Sequence, residues 1–165
     1  MQRRNGYTYL GLLLAIVLAG TALAAAGSLW STEARRSREA ELLFVGDQFR
    51  DAIGAYWEKV PLGQSHVFPR SLDDLLDDKR WPTRRRHLRR LFVDPMTGTR
   101  EWGLVEAPSG GIMGVYSRSE EVPLKRGLFP SAHAEFAEAR TYRGWRFVYA
   151  PQGAASAPKP GLVTP

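Results

Sequence analysis

The sequence predicts an α+β protein in which one long N-terminal helix packs on a small antiparallel β-sheet. The first 60 residues contain no proline, and an uncharged run over residues 5–32 is followed by apolar residues at every third or fourth position. That spacing places the apolar side chains on one face of a helix. From Asp94 onward the apolar residues recur at every second position, which is the period of a half-buried strand.

The uncharged run is long enough to cross a membrane. It covers 28 residues, whereas the hydrocarbon core of a bilayer needs about 20. Arg3 and Arg4 precede it, and positive charge beside a span favours the cytoplasmic side. We therefore expect a single-pass membrane protein with a cytoplasmic N-terminus, a span over 7–30 and a C-terminal domain on the other side of the membrane. Residues of this predicted span include Tyr7, Leu14, Val17 and Trp30.

Three fates of this segment are consistent with its residues. A secretory signal peptide would be cut near Ala26, within "ALAAAGS", and would release a periplasmic protein. An uncleaved signal anchor would keep the whole chain in the membrane. Cleavage after Gly6 would instead remove only the basic leader, residues 1–6, and leave the apolar run intact.

The second half of the predicted helix is amphipathic. Its apolar stripe consists of Leu42, Val45, Phe49, Ile53, Tyr56 and Val60. Its charged residues lie on the other face: Arg35, Arg36, Arg38, Glu41, Asp47, Arg50, Asp51 and Glu58. Together with the apolar run, this stripe predicts one helix over 7–60, roughly 80 Å long at 1.5 Å per residue.

A short capped helix is predicted after Pro61. Ser71 is a suitable N-cap residue, and Asp73 and Asp74 occupy the first turn, where the helix dipole favours negative charge. The leucines that follow, Leu72, Leu75 and Leu76, form its buried side.

The most unusual stretch is "DDKRWPTRRRHLRRLF", which contains seven lysines and arginines between Lys79 and Arg90. The spacing of Leu88, Leu91 and Phe92 predicts a short amphipathic helical turn after Pro82. A solvated loop is the simplest interpretation, and a contact with an anionic ligand or another subunit is the alternative. Trp81 alone offers little for base stacking, so we do not expect nucleic acid as a partner. The residues predicted for such a contact are Arg84, Arg85, Arg86, Arg89 and Arg90.

Three strands are predicted in the remainder of the domain, which we expect to span 61–150. They are "REWGLVEA" (100–107), "GIMGVYS" (111–117) and "GWRFVYA" (144–150), with turns at 94–98 and 108–111. A helical turn is expected over 132–139. The segment 151–165 is rich in Pro, Gly, Ala and Ser, so we expect a disordered tail.

Nothing in the sequence indicates catalysis. The chain has no cysteine, and its three histidines, His66, His87 and His133, are scattered without metal-ligand spacing. Ser109 lies in "APSGG", which is not a nucleophile elbow. We therefore expect neither an enzyme nor a cofactor nor a bound metal.

The leader junction resembles that of the type IV prepilin and pseudopilin family: a short basic leader ends in Gly6, followed by Tyr7 and Thr8. The patterns "DP.TG...W", "GI.GVYS.S" and "W.F.Y.P" are most similar to the protein G type of general (type II) secretion pseudopilin. The chain differs at Gly11, where the family usually carries glutamate. The family's calcium loop is also not matched, because Glu120 and Glu121 stand there without an aspartate.

This resemblance implies a structural role and a place in the bacterial inner membrane, with the C-terminal domain in the periplasm. A prepilin peptidase would cut after Gly6 and methylate the new N-terminus at Tyr7, and the mature chain would join a periplasmic filament that supports protein export. The implied partners are other pseudopilin subunits, the peptidase, the inner-membrane secretion platform and membrane lipid. The alternatives are a minor pilin that binds DNA or another anionic ligand, and the released periplasmic protein described above.

Overall fold

A computed structural model describes the backbone of residues 5–151 and the side chains of residues 9–21 and 30–151. Its first element is a single helix, α1, which runs from Asn5 to Glu58 over 54 residues. A long N-terminal helix is therefore confirmed, and it ends shortly before Pro61. The chain divides into two units, residues 1–38 and residues 39–165, so that α1 contributes to both.

Within the second unit, the amphipathic part of α1 forms one wall of the core. Five of the six residues of the predicted stripe are buried, whereas Val60 lies beyond the end of the helix and is only partly buried. Gly46 and Gly54 lie on this wall, where the rings of Phe147 and Tyr149 come so close that a Cβ atom would collide with them. These two glycines therefore allow the helix to approach the last strand closely.

Three antiparallel strands form the sheet, in the order β1 (Gly103–Glu106), β2 (Ile112–Tyr116) and β3 (Arg146–Val148). All three strand predictions are confirmed, although each strand is shorter than its apolar pattern. Leu104 pairs with Val115, which pairs with Phe147 across the other edge. The predicted hairpin turn is present between β1 and β2, where Gly110 and Gly111 have φ values of 86° and 85°. Glycine is the residue that adopts such angles without strain.

Aromatic rings fill the core between the sheet and the late loops. Trp145 is completely buried and stacks on Phe136 at 5.5 Å with an interplanar angle of 7°. Phe136 belongs to a 3₁₀ helix, Ser131–Glu138, at the position of the predicted helical turn. A shorter 3₁₀ helix, Leu72–Leu75, follows Ser71 as predicted, and a third covers Tyr142–Gly144.

The predicted helical turn after Pro82 is wrong, because residues 79–92 have no regular secondary structure. The reason is that the backbone of this segment bonds to the preceding short helix instead of to itself. The N–H groups of His87 and Leu88 both donate to the carbonyl of Leu75, at 2.8 and 2.9 Å, and the Asp78 N–H donates to the carbonyl of Arg85. These hydrogen bonds bring the chain back to the short helix and bury Leu88, so an apolar residue is needed at this position although no helix forms.

Candidate functional site

The first candidate surface is the part of α1 that precedes the second unit. Every described side chain from 9 to 21 is exposed. We call this stretch the apolar helix surface. Its large apolar side chains retain 42–65% of their accessible area: Tyr9, Leu10, Leu12, Leu13, Leu14, Ile16, Val17 and Leu18. Trp30, at the end of the predicted span, is 81% exposed.

The residues predicted for processing cannot be placed in the same detail. Gly6, Tyr7 and Thr8 are helical in their backbone, but their side chains lie outside the described residues, as do those of 22–29. Arg3 and Arg4, and residues 152–165 of the predicted tail, also lie outside them. Among the described residues, no helix combines the length and hydropathy required to cross a membrane.

The second candidate surface is the basic segment, residues 79–90. Of the five predicted contact residues, three already have partners within the segment or beside it. Arg84 pairs with Asp77 at 3.3 Å, Arg85 lies 4.2 Å above the ring of Trp81, and Arg90 lies 5.2 Å from the ring of Phe92. Arg86 and Arg89 are exposed. The structure therefore brings these cations together on one loop, but it does not gather them around one point.

The basic segment is held in place by Asp78, whose side chain is fully buried. The guanidinium of Arg80 donates to its carboxylate from Nε at 2.8 Å and from Nη2 at 2.7 Å. His87 lies 3.0 Å from the same carboxylate through Nε2. Arg80 also donates from Nη2 to the carbonyl of Tyr56 at 2.7 Å and lies 3.5 Å above the Tyr56 ring. The segment is thereby tied to the end of α1.

The protonation of this cluster follows from its geometry. Burial alone would raise the pKa of Asp78, but the hydrogen bonds from Arg80 and His87 outweigh burial and lower that pKa to about 2. Burial lowers the pKa of His87, against the opposing effect of Asp78. His87 is therefore neutral at pH 7, and its Nε2–H donates to a charged Asp78. The cluster is suited to fixing the loop, since both groups keep one protonation state around neutral pH.

Next to this cluster lies a groove of about 700 Å³. Its lining includes the buried rings of Tyr56 and Phe68 and the exposed cations Arg70 and Lys79. Asp74 also lines the groove, where its carboxylate accepts hydrogen bonds from the N–H groups of Arg70 and Ser71.

Glu39 is a buried carboxylate that sequence reasoning missed. It retains only 4% of its accessible area and accepts hydrogen bonds from the Leu124 N–H at 2.6 Å and the Tyr142 hydroxyl at 2.8 Å. The Lys125 N–H also donates to it, at 3.2 Å. One signal could have found this residue. Glu39 precedes Leu42 by three positions and so continues the apolar stripe, where a charge requires a partner.

Two other buried polar groups were also missed. Asp94 is fully buried and accepts hydrogen bonds from the Ser117 hydroxyl at 2.7 Å and the Met96 N–H at 2.9 Å. His133 lies 2.8 Å from Asp47 and stacks on Phe136 with ring centroids 4.7 Å apart. Within the described part of the chain, no group of three or more acidic, histidine or cysteine side chains is arranged to hold a metal ion.

Comparisons with protein-family models, with curated proteins and with solved structures found no match to this chain. Its function must therefore be argued from its residues and their geometry.

Proposed function

We propose that this protein is a structural pseudopilin subunit of a type II secretion or type IV pilus-like apparatus, assembled into a periplasmic filament that supports protein export. The observation that carries the proposal is the apolar helix surface. It belongs to a continuous helix, Asn5–Glu58, whose later turns form a wall of the folded second unit. A subunit of this kind needs one helix that serves first as a membrane anchor and then as a packing element.

The apolar helix surface is too large to remain in water. Burying a large apolar side chain contributes about 1.5–3 kcal/mol, so covering eight half-exposed ones would contribute on the order of 10 kcal/mol. Lipid would cover them before assembly, and the helices of neighbouring subunits would cover them in the filament. Gly11 leaves open space on this surface, with nothing within 4 Å of the position of a Cβ atom. A subunit without a carboxylate there cannot form a charge pair with a neighbour's terminal amine at that position, which favours a minor subunit.

In this proposal the leader of residues 1–6 remains cytoplasmic, residues 7–30 span the inner membrane once and the second unit lies in the periplasm. The partners are other pseudopilin subunits, a prepilin peptidase, the secretion platform and membrane lipid. Nucleic acid is not among them. Base stacking needs a free aromatic ring, and the one tryptophan of the basic segment, Trp81, already lies under the guanidinium of Arg85.

Processing tests the proposal directly. The variant Gly6→Val should block cleavage in cells that contain a prepilin peptidase and leave the full-length precursor in the membrane fraction. The matched control is Gly11→Val, which changes a glycine at an open position of the same helix and should leave cleavage intact. Intact-mass spectrometry of the wild type should find a chain that begins at a methylated Tyr7. Normal maturation of the Gly6 variant, or a product that begins near Gly27, would refute the proposal.

Membrane residence gives a second test. Leu14→Arg places a charge in the middle of the predicted span, where insertion scales assign about 2.5–3.5 kcal/mol to arginine. The variant should therefore be depleted from the membrane fraction. Leu62→Arg is the control, because Leu62 is fully exposed in the loop that follows α1. Equal membrane fractions for both variants would show that something other than this helix holds the protein.

A further inference from the structure

The loop that joins β2 to the 3₁₀ helix Ser131–Glu138 exposes a leucine completely. Leu128 retains 99% of its accessible area and has a φ angle of +58°, in the left-handed region. Among the described residues it is the one non-glycine residue with positive φ. We call residues 124–129 the tip loop.

Both ends of the tip loop are fixed to the folded domain. At its start, the N–H groups of Leu124 and Lys125 donate to the buried carboxylate of Glu39, at 2.6 and 3.2 Å. At its end, the ring of Phe129 packs edge-on against Trp145 at 5.5 Å and against Phe136 at 5.9 Å. The tip loop is therefore anchored at both ends and does not hang free.

The side chains on either side of this left-handed position differ in burial. Leu128 is in solvent, whereas Phe129 is partly buried against the aromatic core. Leucine in this conformation is disfavoured, and Gly127, which could adopt it without cost, is the adjacent residue. Backbone strain that is held in place by its surroundings is concentrated at active sites, ligand clamps and switch regions.

The charge around Leu128 indicates the partner. Lys125 and Arg126 belong to the same tip, and the Lys125 Nζ lies 5.0 Å from the Phe129 ring. An apolar side chain beside cations is typical of segments that lie in the headgroup region of anionic bilayers.

We propose that the tip loop docks on the anionic surface of the bilayer in which the protein resides, with Leu128 at the boundary of headgroups and acyl chains and with Lys125 and Arg126 against lipid phosphates. This inference rests on the proposed function, because it requires residues 7–30 to hold the protein in that bilayer. It adds a second membrane contact, one that the subunit must release when it enters a filament.

The chain contains no cysteine, so a single introduced thiol can be labelled uniquely. The full-length variant Leu128→Cys, carrying an environment-sensitive fluorophore, is reconstituted into vesicles of phosphatidylcholine with or without phosphatidylglycerol. Emission should shift to the blue and intensify in the anionic vesicles. The control is Leu62→Cys with the same label, since Leu62 is equally exposed but has no lysine or arginine within two residues. Its emission should be the same in both vesicle types.

Adding Lys125→Gln and Arg126→Gln to the labelled Leu128 variant should return most of the shift to the value in phosphatidylcholine alone. Vesicle flotation, measured on the same samples, separates the two proposals. Protein that floats with the vesicles while the label at 128 still reports water would overturn the tip-loop contact and leave the proposed function standing. A shift that grows with protein density and ignores lipid charge would indicate a neighbouring copy and would also overturn it. Protein that does not float would overturn both proposals.

Discussion

We expect the carboxylate of Asp78 to stabilise the second unit. A place in a run of acidic residues suggests an exposed side chain, but this carboxylate is buried. The variant Asp78→Asn removes the charge that Arg80 and His87 contact at 2.7 and 3.0 Å. It leaves the Arg80 guanidinium, whose side chain is only 12% exposed, without a counterion. Loss of one partner from a buried pair costs about 3–5 kcal/mol, and the amide retains part of the hydrogen bonding, so we expect a loss of about 3 kcal/mol.

The adjacent aspartate provides a matched control. Asp77 pairs with Arg84 at 3.3 Å, and both side chains are about half exposed or more. A solvent-exposed pair contributes about 0–1 kcal/mol, so Asp77→Asn should change the free energy of unfolding by less than 1 kcal/mol. Both variants are measured as full-length protein in detergent, by urea unfolding followed through tryptophan fluorescence.

The effect of Asp78 should also depend on pH in a defined direction. Its pKa is about 2 in the folded chain and 3.8 in the unfolded chain, so the stabilisation is complete above about pH 5 and is lost as the pH falls towards 2. This difference between the two pKa values corresponds to about 2 kcal/mol in the free energy of unfolding. The gap in stability between wild type and Asp78→Asn should therefore narrow by about 2 kcal/mol as the pH falls towards 2. Equal losses for the Asp77 and Asp78 variants at pH 7, or a constant gap down to pH 2, would refute this reasoning.

Three further outcomes can be measured in the same assay. Gly46→Ala should destabilise the second unit by about 1–3 kcal/mol, because its new methyl group would collide with the Phe147 ring, whereas Gly20→Ala, at an open position, should not. Glu39→Ala should cost more than about 2 kcal/mol, since it leaves three donors without their acceptor, while Tyr142→Phe removes one of those donors and should cost about 1.5 kcal/mol. The stability of the wild type should start to fall below pH 6.5, because His87 binds a proton there in the unfolded chain but not when it is buried in the folded chain. A flat stability profile between pH 7 and 5 would contradict this.

The elements that sequence reasoning predicted are those whose signal is local and periodic. The stripe from Leu42 to Tyr56 repeats at helical spacing, and its five residues within α1 are all buried. The strand around Phe147 alternates with a period of two, and it is present as β3, paired with β2. The turn at Gly110 and Gly111 could also be predicted, because a positive φ angle depends on the residue type at a single position.

The features that were missed depend on partners far apart in the chain. Glu39 contacts Leu124, which is 85 residues away, and no periodicity in the sequence links the two. The basic segment was predicted as a helical turn because its leucines have helical spacing. The prediction failed because Leu75 receives the N–H groups of His87 and Leu88 and so replaces the helical hydrogen bonds. A run of acidic residues does not indicate which of its members is buried. Asp78 is buried, whereas its neighbour Asp77 is largely solvated.

Three acidic residues of α1 in the second unit each contact a group outside the helix. Glu39 binds Tyr142, Asp47 binds His133 and Glu58 accepts a hydrogen bond from the Tyr149 hydroxyl at 2.9 Å. An apolar stripe alone is non-directional and would allow the helix to slide along the sheet, whereas these contacts, together with Phe147 seated on Gly46, specify one register. In the filament subunit that we propose, a pull on the helix would reach the domain through the contacts of Glu39, Asp47 and Glu58.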